Sequence, residues 1–115
     1  MASLMENLLM VLEKENSEYE RLVELSTQKR QIIIDGNVQG IGEITNMEQD
    51  ITSNIKNLEN KREEVIKDMA IVLSKDANEL TLTNMIAFLN NQPKEQEMIR
   101  AIQTKLKDTI GRMVE

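Results

Sequence analysis

The sequence has no cysteine, no histidine and no tryptophan, and only one tyrosine, one phenylalanine and one proline. Without cysteine there is no disulfide and no thiol nucleophile. Without histidine there is no imidazole base, and the usual zinc ligand sets fail. Carboxylates are left as the only groups able to do acid–base chemistry or hold a metal. A carboxylate-bridged metal site in a helical bundle asks for a Glu-x-x-His pair from each of two helices, so this chain is expected to be no enzyme and to need no cofactor or metal. Long apolar runs are also missing: none approaches the roughly 20 residues of a membrane span. The opening "MASLMENLLMVLEKE" has neither a basic n-region nor a small-residue cleavage site, so it reads as no signal peptide, and the expectation is a soluble cytoplasmic protein.

What is present is aliphatic and charged. At 115 residues, 40% hydrophobic and 30% charged, the chain is of a size for one domain whose core comes from Ile, Leu, Val and Met, a composition typical of helical bundles and coiled coils. The net charge of -6 argues against nucleic acid as a partner, since phosphate binding relies on clustered Lys and Arg. Residues 1–34 carry 6 acids and 4 bases, residues 35–73 carry 8 and 4, and residues 74–115 carry 6 and 6, so the last third alone is neutral.

The clearest periodicity steps by three and four through Ile41, Ile44, Glu48, Ile51, Ile55, Leu58, Arg62, Val65, Met69 and Val72, a heptad seam with two polar members. It predicts an amphipathic helix from about residue 38 to about residue 73, in which Glu48 and Arg62 set register or pair with another helix. Residues 3–34 repeat the idea with Leu4, Leu8, Val11 and Leu12, then Tyr19, Leu22, Val23 and Leu25, and finally Ile32, Ile33 and Ile34. Their polar middle, "EKENSEYER", narrows the stripe, and there a single partner helix is expected.

Between the two lies "QIIIDGNVQG". Asp35-Gly36 suits a β-hairpin only if alternating strands flank it, and helical patterns flank it instead. Gly36 therefore reads as the left-handed end of the first helix and Asn37 as the cap of the second, so the two fold back as an antiparallel hairpin. Gly40 and Gly42 weaken the first turns of the second helix by about 1 kcal/mol each relative to Ala.

"SKDANELTLTNM" breaks the heptad and offers Thr81 and Thr83 as caps for a short helix over about 82–90. Pro93 suits the first position of a fourth helix, over about 93–114, whose stripe runs through Met98, Ile99, Ile102, Leu106, Ile110 and Met113. "TIGRMVE" carries no terminating signal, as expected of a chain that continues past Glu115. The predicted fold is all-α: a long, coiled-coil-like antiparallel helical hairpin, a short helix and a further C-terminal amphipathic helix, forming one helical bundle. Most of the eight methionines fall on apolar stripes and read as core filling, with Met10 off the stripe.

The order of these features resembles the FlgN family of bacterial flagellar export chaperones. The similarity runs along "LLMVLEKENSEYERLVELSTQKRQIIIDGN" through Glu15, Tyr19, Leu22, Leu25, Lys29 and Gly36, and continues in "GEITNMEQDITSNIKNLENKREEV" through Ile44, Glu48, Ile51, Leu58, Glu59 and Arg62. "ELTLTNMIAFL" resembles the family's short segment after the hairpin. Asn37 stands where the family often has Asp, an exchange between two capping residues. Family members generally run further than Glu115, and their C-terminal helical part is associated with cargo binding and docking on the export gate. The resemblance implies a cytoplasmic chaperone that holds hook-filament junction proteins before secretion through the flagellar type III export apparatus, without nucleotide or metal. The expected cargo is an amphipathic terminal helix, and physics places its contact on Ile99, Ile102, Leu106, Ile110 and Met113 of the fourth helix. The alternative is a structural coiled-coil module, a dimerisation or scaffold segment, because exposed heptad seams readily form homo-oligomers.

Overall fold

The computed structural model describes residues 3–88 and 93–114, with the side chains of residues 88, 113 and 114 outside the described set. The described residues form α1 (Leu4–Asp35), α2 (Val38–Leu73), α3 (Leu82–Phe88) and α4 (Pro93–Val114), with a single 3-10 turn at Ala77–Glu79 in the connection expected to be a loop. There is no strand among them. The final two positions of the short helix expected over 82–90 lie outside the described residues.

Each boundary has a local cause. The Ser3 hydroxyl caps α1 by accepting from the Glu6 amide at 3.1 Å. At the other end Gly36 takes φ 72 and ψ 21, and the amides of Gly36 and Asn37 donate back to the carbonyls of Ile33 and Ile32 at 3.1 and 3.2 Å. The Asn37 side chain then accepts from the Gly40 amide at 3.0 Å, so two residues end one helix and start the next. Gly40 suits this close corner: a Cβ there would stand 2.9 Å from Asn37 Nδ2 and 3.1 Å from Ile32 Cγ2, so those side chains would have to shift. Thr81 caps α3 through the Asn84 amide at 3.1 Å, and α4 opens on Pro93. Gly111 lies within α4, which continues to Val114.

The hairpin is the long axis of a body of 55 × 25 × 21 Å. Its radius of gyration of 17.3 Å exceeds the roughly 13 Å of a compact globule of this length. Two apolar clusters fill it. Toward the open end of the hairpin, Leu8, Leu12, Met69, Met85, Ile99 and Ile102 bring all four helices together. Toward the corner, Leu25, Ile44, Ile51 and Ile55 join α1 and α2 alone. Tyr19 packs against both clusters.

Two details of the expected stripes are corrected. Of the three isoleucines before the corner only Ile32 packs inward, while Ile33 and Ile34 are 56% and 76% exposed. Consecutive helical positions diverge by about 100°, and α2 can cover only one of the three. In the heptad seam, Ile44 and Ile51 are buried, Leu58 and Val65 are half-buried, and Val72 is 72% exposed. A straight helix drifts by about 20° per heptad against a seven-residue row, so this row rotates steadily out of the interface. The other row of the seam stays inward, through Ile55 and Met69, and Met69 with its neighbour Ala70 carries the core at the end of α2.

Candidate docking surfaces

Helix α4 runs parallel to α1. Met98 and Ile102 lie near Leu9, and Arg112, further along, reaches Glu20 at 4.0 Å. Its registration comes partly from α3: Gln96 Nε2 donates to the Ile86 carbonyl at 2.6 Å and Gln103 Nε2 to the Thr83 hydroxyl at 3.0 Å. The stripe proposed from sequence divides on this framework. Ile99, Ile102 and Leu106 are buried at 0%, 3% and 8% exposure in the cluster shared with α1. Ile110 is 45% exposed, and the Met113 side chain lies outside the described set. Thr109, which has no place in the apolar stripe, is buried at the same interface and bonds the Lys105 carbonyl at 2.9 Å.

A polar belt separates the two apolar clusters. Glu15 of α1, 1% exposed, meets Arg62 of α2 at 3.0 Å through Oε2, while its Oε1 has no partner. Asn16 donates to Glu20 at 3.3 Å and leaves its own Oδ1 without a partner. Burial pushes the Glu15 carboxyl above its ordinary range; the Arg62 charge opposes this and the Glu59 charge adds to it. Burial likewise raises the Tyr19 hydroxyl, helped by the charges of Glu59 and Glu15. The expectation of one partner helix for "EKENSEYER" is therefore corrected. Glu15 faces α2 and Glu20 faces α4, because a parallel α4 reaches that far along α1.

The two polar seam residues of α2 both pair across the hairpin: Glu48 with Lys29 at 3.0 Å and Arg62 with Glu15 at 3.0 Å. The sequence signal for Arg62 was its place in the seam. Nothing in the sequence marked Asn16 or Thr109 as buried.

Among the described residues no group of three or more acidic side chains is placed to hold a metal ion. No helix among them is long and apolar enough to cross a membrane. What the fold offers is surface, in the form of helix faces and the grooves between them.

Comparison with family models matches the chain over residues 1–115 to the model described as FlgN protein. Comparison with curated proteins and with solved structures finds no match.

Proposed function

The chain belongs to the FlgN family, and on that footing we propose that it is a bacterial cytoplasmic chaperone of flagellar type III export. It binds the amphipathic terminal helices of hook-filament junction proteins and keeps them unassembled until they reach the export apparatus. The observation that carries the reading is the interface of α4 with α1. Ile99, Ile102 and Leu106 form an apolar helix–helix contact of the kind a cargo helix makes, on an element that α1 and α3 hold from outside the hairpin.

In the free chain that stripe is covered by α1. Cargo reaches Ile99, Ile102 and Leu106 by exchanging with this covering, starting from the exposed Ile110. The exchange trades one apolar contact for another, so it needs neither nucleotide nor metal, and the cost of opening sets how tightly cargo binds.

The burial of the stripe also favours a second reading, in which α4 never leaves α1 and the hairpin is a coiled-coil scaffold. Calorimetric titration with the terminal helical segments of hook-filament junction proteins separates the two. Binding that weakens in Ile110→Asp supports the chaperone. No binding, with a self-associated state by light scattering, supports the scaffold.

A further inference from the structure

The side of the hairpin turned away from α4 carries a groove between α1 and α2. Its larger part, about 640 Å³, is bounded by Met10, Lys14, Ser17, Asn54, Leu58 and Lys61. A further part of about 290 Å³ continues past Val11 and Val65 to Asn7 and Asp68. Helix α4 packs on α1 at Leu9, whereas this groove opens about a third of a turn further round, at Met10 and Lys14. It exists because the heptad row of α2 rotates out: Leu58 and Val65, half-buried, form its floor with Met10, which is 48% exposed.

The charges on its walls are ordered. Lys14 on α1 and Lys61 on α2 border both parts of the groove from opposite walls, and neither forms an ion pair among the described residues. Three acidic residues stand toward its ends, Glu64 and Asp68 at the open end of the hairpin and Glu18 toward the corner. A fourth, Glu13, stands at mid-length on the shoulder of α1 that also borders α4. Neither lysine is committed to a close ion pair, and a carboxylate set between them over the apolar floor gains from both.

We propose that this groove is a second docking site, for an amphipathic helix of a partner protein with an acidic residue at mid-length and basic residues about one turn to either side. From Asn7 to Glu18 α1 advances about 16 Å, which is three turns of guest helix. Seated there, the guest and α4 flank the hairpin from two sides and complete a four-helix arrangement. Filling the groove does not require α4 to release its own stripe, although Glu13 borders both surfaces.

The test uses two synthetic helical peptides of about four turns, both with a leucine ridge. One has Glu at mid-length and Lys one turn to each side; the other has these charges inverted. Each is titrated into the full chain by fluorescence anisotropy. The matched peptide binds about tenfold more tightly than the inverted one, as expected for two exposed ion pairs. The double variant Lys14→Glu/Lys61→Glu reverses the preference, and Leu58→Glu weakens both peptides at least about tenfold. Lys14 and Lys61 are exposed, so the reversal is readable in a folded protein, which circular dichroism checks. Equal affinities, no binding, or a preference unmoved in the double variant overturns the proposal. So does self-association in sedimentation that Leu58→Glu abolishes, which gives the groove to a second copy of the chain.

Discussion

The Glu15 carboxylate lies 3.0 Å from the Arg62 guanidinium across the α1–α2 interface, with 1% of its surface exposed against 34% for Arg62. The pair is asymmetric: Arg62 keeps part of its hydration, whereas Glu15 has given up nearly all of its own and has one oxygen without a partner. Burial outweighs the attraction, and the folded chain holds the Glu15 proton more tightly than the unfolded chain does.

A carboxyl raised in this way favours folding in its protonated form. Its contribution is present below the unfolded value and is lost as pH rises through the raised folded value. Glu15→Gln resembles the protonated state. It is expected to melt at a higher temperature than the parent at neutral pH, with the difference shrinking toward pH 4. Thermal melts of both proteins across that range check the direction. Arg62→Met is expected to lose stability at neutral pH, because it leaves the Glu15 charge buried alone.

Gly36 and Gly42 should respond to alanine with opposite signs. A Cβ meets nothing within 4 Å at either position, so only the backbone decides. At Gly36, with φ 72, alanine costs about 1–2 kcal/mol. Inside α2 at Gly42 it stabilises by about 1 kcal/mol. Urea unfolding of the two single variants measures both.

Leu12 and Val72 both lie on stripes read from sequence, yet only Leu12, at 0% exposure, is in the core, while Val72 is 72% exposed. Leu12→Ala is expected to cost about 2–5 kcal/mol, and Val72→Ala to stay within about 0.5 kcal/mol. Denaturant midpoints compare them directly.

The fold was legible where local chemistry decides it. Gly36 and Asn37 marked the corner, Pro93 marked the start of α4, and the seam through Ile44, Ile51 and Ile55 marked the hairpin face. What the sequence could not carry was three-dimensional placement. The exposure of Val72 comes from drift accumulated over several heptads, and the second partner of the α1 middle depends on α4 running parallel to α1. The proposed contact residues were readable as one stripe. That Ile99, Ile102 and Leu106 are covered while Ile110 is not depends on how far α1 and α3 overlie α4, which spacing alone does not encode.

The central claim is that cargo binds by exchange with the α1 covering of α4, and a reversible lock tests it most directly. The chain has no cysteine, so Glu13→Cys/Lys105→Cys, two positions beside each other at that interface, accepts one reducible bis-maleimide cross-link. The cross-linked protein is titrated calorimetrically with a junction protein's terminal helix before and after reduction. The account predicts affinity at least about tenfold weaker while locked, recovered on cleavage of the link. Equal affinity in the two states would place cargo elsewhere on the hairpin and contradict the exchange.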